Sequence, residues 1–165
     1  MILILIGIGG IFAMKMDLTI RRADQDDIEM MTQLLKVLFS IEEDFIFNEE
    51  KQRRGLEIML EDRENRCVFI AEYNSQIVGM ISGQVLISTA EGGISVLVED
   101  LIVKEVYRKR SIGKELLFKI EEWAALKKAK RLQLLSENDN FPALNFYRHL
   151  NWNDTGLICL NKNDI

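Results

Sequence analysis

Two neighbouring stretches of the 165-residue chain carry residues that can do chemistry. Val98-Glu99-Asp100-Leu101-Ile102-Val103-Lys104 reads as an apolar strand with two carboxylates in it. Arg108-Lys109-Arg110-Ser111-Ile112-Gly113-Lys114 follows as a short basic turn that opens a long amphipathic helix. A helix start presents backbone N–H groups without helical partners and the positive end of a dipole. With basic side chains around it, such a start is a site for a polyphosphate. It is not a Walker loop, which needs Gly-x-x-x-x-Gly-Lys-Ser/Thr, and the glycines of a dinucleotide fingerprint are missing. Glu99 and Asp100 are adjacent, so strand alternation sends them to opposite faces and only one can face a cleft. Alternation groups Glu99 with Leu101 and Val103, and Asp100 with Ile102.

The charge distribution supports an anionic ligand held at one place. The net charge is −5, which argues against nucleic acid as a partner. From Lys104 to Arg131, however, ten Lys/Arg face four acids, while the remainder of the chain carries eleven bases and twenty-two acids. A local positive field in an acidic protein suits a bound anion. Lys119, Lys127 and Lys128 read instead as solvating the outer face of the helix. Cys67 and Cys159, the two cysteines, have no metal-ligand spacing and read as buried free thiols of a cytoplasmic protein. No metal site is expected.

Composition and length bound the class. With 48% hydrophobic and 28% charged residues, the chain is ordinary globular protein. One domain over residues 17–165 is expected, able to bury roughly 70% of its unfolded surface. Residues 1–16 form an apolar extension, from Ile2 to Phe12 without a charge. That run is shorter than the ~20 residues a bilayer span needs, and it lacks the basic region of a secretory signal. Either translation effectively starts at Met14 or Met16, or the segment is a strand packed on the domain or on a second copy in a homodimer.

The elements that would position these residues can be read from periodicity. Leu18 to Arg22 reads as a strand, and Asp24 with Asp27 as a capping box for a helix carrying Ile28, Met31, Leu34, Leu35 and Leu38 inward. A second helix runs from Glu49 to about Asp62 with Asn48 as its cap. Strands follow at Arg66–Tyr73 and Gln76–Ile87 around the turn Asn74-Ser75. Thr89 to Gly93 is a turn, and Ile94–Val103 is the strand with the carboxylates. The helix Ile112–Lys128 buries Leu116, Leu117, Ile120, Trp123 and Ala124. A strand at Arg131–Leu135, a short helix at Asn140–Leu150 with Pro142 in its first turn, and a terminal strand at about Thr155–Leu160 complete the order. This predicts an α/β (α+β) mixed, mostly antiparallel sheet with helices on both faces.

Both the element order and two motifs resemble the GNAT superfamily of acyl-CoA-dependent N-acyltransferases, over about Leu18 to Leu160. Arg108-x-x-Ser111-x-Gly113 is similar to the family's Arg/Gln-x-x-Gly-x-Gly/Ala pyrophosphate loop. Asn140-x-x-Ala143-x-x-x-Tyr147 is similar to the Asn-x-x-Ala-x-x-x-Tyr segment of the family's last helix. The resemblance implies acetyl-CoA as cosubstrate, with its pyrophosphate cradled by backbone N–H groups over Arg108, Lys109, Arg110, Ser111, Ile112, Gly113 and Lys114. It implies that the backbone of Leu101, Ile102 and Val103 pairs with the pantetheine arm, and that an N–H there polarises the thioester carbonyl. Asn140 would cap its helix and hydrogen-bond the arm beside Ala143, and Tyr147 would protonate the leaving thiolate. Glu99 is the preferred base for the amine. Ser111 replaces the first family glycine; serine reaches φ > 0 only at a cost, so a negative φ is expected there.

The chain therefore reads as an N-acetyltransferase that moves an acetyl group to a primary amine of a small molecule by direct attack. A protein or peptide N-acetyltransferase and a non-catalytic acyl-CoA-binding module are the alternatives. The acceptor cleft is expected between the first two helices, where Glu42, Glu43, Asp44, Glu49 and Glu50 alternate with Phe39, Phe45 and Phe47. Glu91-Gly92-Gly93 is expected on the opposite wall. His149 lies about 200° round the helix from Tyr147 and reads as a surface or packing residue.

Overall fold

The computed structural model describes residues 18–41 and 46–162. The apolar segment 1–16 and the expected acceptor-cleft residues Glu42, Glu43, Asp44 and Phe45 lie outside the described residues. Among the described residues, β1 (Leu18–Arg22), β2 (Arg66–Tyr73), β3 (Gln76–Ser88), β4 (Gly93–Val103) and β5 (Arg131–Leu134) form one sheet in chain order. All neighbours pair antiparallel except β4 and β5, which are parallel. Asn74 and Ser75, at φ 48° and 61°, make the left-handed two-residue turn that matches strand twist in a hairpin.

Two helical layers cover the sheet. On one face, α1 (Ile28–Leu38) and α2 (Glu49–Glu61) pack Met31, Leu34, Leu56 and Leu60 against Val68, Ile70, Met80 and Ile102. On the other, α3 (Ile112–Leu126) and α4 (Phe141–His149) bring Leu116, Leu117, Ile120, Phe146 and Tyr147 against Val78, Ile81, Val96 and Val98. The expected capping box is present: Asp24 and Asp27 satisfy each other's backbone N–H groups. Arg21 then clamps Asp27 with two bonds of 2.7 Å and reaches Glu72 at 3.0 Å, tying β1, β2 and the start of α1 together. Burial pushes the Asp27 carboxyl up, but the Arg21 guanidinium together with the hydrogen bonds from Asp24 more than offsets this and holds it below its usual range. No helix among the described residues is long and apolar enough to cross a membrane.

Two expectations fail at the C-terminal end. Thr155–Leu160 forms no strand; after Trp152 the described chain has no regular element. The segment contains Gly156 and is flanked by Asn153, Asp154 and Asn161, types depleted from strands, and β5 has only four residues of edge to pair with. Cys159 on this segment is consequently exposed, not buried as expected, whereas Cys67 in β2 is buried. Burial pushes the Cys67 thiol up to about 12, so it is protonated and unreactive.

Candidate active site

The sheet opens where β4 and β5 part. Their pairing runs from Ser95 opposite Arg131 to Val98 opposite Leu134 and ends there. Beyond it, Glu99 to Val103 continue along β3, while β5 gives way to Leu135, Ser136 and Glu137. The gap is a cavity of about 100 Å³, walled by β4 on one side and by Asn140, Ala143 and Tyr147 on the other. α4 is set there by its own cap: the Asn140 carboxamide oxygen accepts from the Ala143 N–H at 3.2 Å, and proline at the helix start costs nothing in lost N–H bonds. Tyr147 is held edge-on by Phe146, ring centroids 5.3 Å apart, and by Trp152 at 6.0 Å.

A bulge in β4 places the carboxylates. Met80 stands opposite Ile102 and Ser82 opposite Glu99, so β4 carries one more residue than β3 across this stretch. Asp100 absorbs the extra length with φ 54°, a left-handed backbone that Asp tolerates better than most residues. The bulge overturns the alternation expected from sequence. Val96 and Val98 face α3, and so do Leu101 and Val103, whereas Ile102 faces α1 and α2. Glu99 therefore does not share a face with Leu101 and Val103. Glu99 and Asp100 do not divide between opposite sides either; both line the cavity between β4 and α4 and a second one of about 390 Å³ under α1 and α2.

The two acids differ in environment. Glu99 is exposed and accepts from the Gln84 amide at 3.0 Å. Asp100 is half-buried and accepts from the Ser82 hydroxyl at 2.7 Å. Burial raises the Asp100 carboxyl, the Ser82 bond lowers it in part, and the charge of Glu99 adds to the rise, leaving it at about 6. Sequence reasoning favoured Glu99, and no pattern in the chain marked Asp100, Ser82 and Gln84 as partners.

The basic turn is a candidate anion cradle. Lys109 and Ser111 have φ 60° and 63° with Arg110 between them at negative φ. The negative φ expected at Ser111 is thus wrong: the turn into α3 needs a left-handed residue there, and serine adopts it. Left-handed residues in a turn at a helix start can aim successive N–H groups into one concavity. The first α3 bond runs from Glu115 N–H to Ser111 C=O, 3.0 Å, so the N–H groups of Ile112, Gly113 and Lys114 precede it without helical acceptors. A Cβ at Gly113 would meet only ordinary contacts, the nearest Phe146 at 3.5 Å. Arg108 folds back, its Nε donating to the Val103 carbonyl at 3.0 Å. Arg110 is turned aside, stacked over the rings of Tyr73 and Tyr107 at 5.7 and 5.5 Å. With both arginines engaged elsewhere, it is the backbone N–H groups of the turn that could hold an anion.

Of the remaining expectations, Glu91 and His149 fall outside this centre. Glu91 pairs with Arg131 at 3.3 Å at the far hairpin and lines neither cavity, because the β3–β4 turn lies at the other end of the sheet. His149 Nδ1 lies 2.6 Å from its own helix's Asn145 carbonyl, as a packing residue would. Phe39, expected at the acceptor cleft, packs against the α1–α2 core and does line the larger cavity, and Lys36 lies over the Phe47 ring.

Fit to a polyphosphate with a linear arm is good on three counts: a cradle of unpaired N–H groups, a gap between parallel strands that leaves one edge of β4 open, and carboxylates where that gap meets the larger cavity. Comparison with solved structures finds this architecture repeatedly. A possible acetyltransferase from Clostridium difficile 630 superposes with TM-score 0.78 at 19% identity, covering 90% of this chain and 98% of its own. The aminoglycoside N-acetyltransferase AAC(6')-Iy in complex with CoA superposes with TM-score 0.79 at 16% identity, covering 91% and 97%. An aminoglycoside acetyltransferase from an uncultured soil metagenomic sample, in complex with sisomicin, gives TM-score 0.71 at 20% identity, covering 90% and 96%. A search of curated proteins returned no match. Residues 28–152 match the sequence model of the acetyltransferase (GNAT) family, a span that begins at α1 and holds both carboxylates, the cradle and Tyr147; the chain belongs to the GNAT acetyltransferase family.

Proposed function

We propose that this protein is an acetyl-CoA-dependent N-acetyltransferase acting on a primary amine of a small molecule, in the cytoplasm, without a metal. The observation that carries the reading is the meeting of two cavities at Glu99 and Asp100. One is walled by Asn140, Ala143 and Tyr147, the other lies under α1 and α2. The CoA complex of one structural neighbour and the sisomicin complex of another support a CoA cosubstrate and a small-molecule acceptor.

Acetyl-CoA supplies an acyl carbon activated as a thioester. The N–H groups of Ile112, Gly113 and Lys114 hold its pyrophosphate, and the open edge of Leu101 to Val103 holds its arm beside Asn140 and Ala143. A backbone N–H at the bulge polarises the carbonyl oxygen where negative charge grows. Asp100 takes the proton of the incoming ammonium, as a base tuned near neutrality should, and Glu99 adds negative charge that draws the amine in. As the amine nitrogen bonds to the acyl carbon the carbon–sulfur bond breaks; the Tyr147 hydroxyl gives the departing sulfur its proton, and the second proton that the nitrogen sheds on becoming an amide restores the tyrosine hydroxyl.

The test is an acetyl-CoA-dependent thiol-release screen over amino acids, polyamines, aminoglycosides and peptides, run beside a thermal shift with CoA. CoA at a hundred times its Kd should stabilise the fold by about 2.7 kcal/mol, with turnover of at least one amine. Stabilisation without turnover of any amine would make this a binding module; absence of stabilisation would remove the cradle assignment.

A further inference from the structure

The larger cavity has walls of opposite charge. β4 supplies Glu99 and Asp100, while α2 supplies Lys51 and β2 supplies Arg66. A cavity shaped for a polycation would carry acids throughout, and an acidic protein has them to spare. Arg66 is fixed in place, its Nη1 donating to the Ile58 carbonyl near the end of α2, and it is half-buried. Lys51 is exposed at the first turn of α2. Two cations of this kind repel a second ammonium and attract a carboxylate.

Gly55 gives a second, independent observation. It lies in the interior of α2, where glycine is destabilising relative to alanine. Among the described residues a Cβ added there would meet nothing within 4 Å, so their packing does not require a glycine. Gly55 is nevertheless part of the cavity wall. Lys51, Gly55 and Met59 follow one another at four-residue spacing and so share one face of α2. The space a methyl group would take belongs to the cavity. At about 390 Å³, the cavity is near the small end of ligand sites, roughly 300–1,000 Å³.

Resting on the reading of this chain as an N-acetyltransferase, we propose that its acceptor is a compact amphoteric amine of the amino-acid class. Its ammonium lies at Asp100 and Glu99, its carboxylate at Lys51 and Arg66, and its body against Gly55. Lys51 and Arg66 are the specificity-determining residues, and Gly55 keeps the room the acceptor occupies.

The experiment uses the full chain saturated with CoA. Leucine, methionine, phenylalanine and 4-aminobutanoate are titrated calorimetrically beside their amides, spermidine and sisomicin, and thiol release from acetyl-CoA is measured with the same set. We expect one of the acids to bind at least tenfold more tightly than its amide, the scale of one charge-assisted hydrogen bond. Lys51→Met should remove that difference, bringing the affinity for the acid down to that for its amide. Gly55→Ala should raise Tm by about 2 °C or more and weaken the acid about tenfold. Equal binding of acid and amide, preference for spermidine or sisomicin, or no binding by any member overturns the inference. So does acid selectivity that survives both Lys51→Met and Arg66→Gln, or a Gly55→Ala variant that binds as the parent does. Thiol release with amides or polycations leaves the transferase reading standing and this inference refuted. Acid-selective binding without thiol release by any compound refutes the transferase reading and leaves the ligand class intact.

Discussion

Asp100→Asn separates what this carboxylate does for the reaction from what it costs the fold. Asp100 rises from 3.8 to about 6 because burial disfavours its charge. Between those values the folded protein holds a proton that the unfolded chain has released. The folded state then binds more protons, so stability falls as pH rises through this window and is level above it. A rise of this size is worth about 3 kcal/mol at 1.36 kcal/mol per unit, and solvent entering the cavity brings the expected effect to about 2 kcal/mol. The amide of Asn keeps an acceptor for the Ser82 hydroxyl and removes the charge. The variant should therefore be about 2 kcal/mol more stable than the parent at pH 7.5, a Tm rise of roughly 4–8 °C, and equal to it below pH 4. Urea denaturation of both proteins from pH 4 to 8 measures this, since m should not change. The same variant should lose amine acetylation by at least about 100-fold, the low end for a general base. Parallel stability curves for the two proteins across the pH range, or a variant less stable at pH 7.5, would refute the electrostatic account.

Three further substitutions probe the machinery around it. Tyr147→Phe keeps the packing against Phe146 and Trp152 and removes the hydroxyl; kcat should fall about 100-fold, roughly 3 kcal/mol of barrier, with the KM for acetyl-CoA unchanged, and equal turnover at saturation would leave water as the acid. Ser111→Gly should stabilise the protein by about 0.5–1 kcal/mol, because Ser111 holds φ 63° without a side-chain cap bond and glycine meets that backbone without strain; a lower denaturation midpoint would contradict this. Gly79→Ala should cost about 1–3 kcal/mol, because a Cβ there would lie 2.8 Å from the Ile102 backbone oxygen, which cannot move without shifting the bulge; an unchanged midpoint would show that the strands have slack.

Elements with a strong local cause were legible in the chain. The capping box at Asp24, the Asn48 and Asn140 caps, and the Asn74-Ser75 hairpin each form where short-range chemistry puts them. So did the inward stripe of α3, with Leu116, Leu117, Ile120 and Trp123 all buried. The expected strand at Thr155–Leu160 failed because apolar residues alone do not make a strand; they need a neighbour with enough edge, and β5 offers four residues. Ser111 was misjudged because propensity penalises a left-handed serine, while the turn between β4 and α3 demands one.

Spacing along the chain placed the basic turn at a helix start and Asn140, Ala143 and Tyr147 on one helix, because both are local facts of period and capping. Which of two adjacent acids meets the cleft is not local. One extra residue in β4, forced by its pairing with β3, moves Leu101 and Val103 to the α3 side and turns Glu99 and Asp100 together into the junction of two cavities. The loss of water around Asp100, its bond to Ser82, the stacking of Arg110 on two tyrosines, and the facing of Lys51 and Arg66 toward the acids all join residues distant in sequence. Periodicity reports how one element meets its own axis; only the packed sheet decides which charges share a cavity.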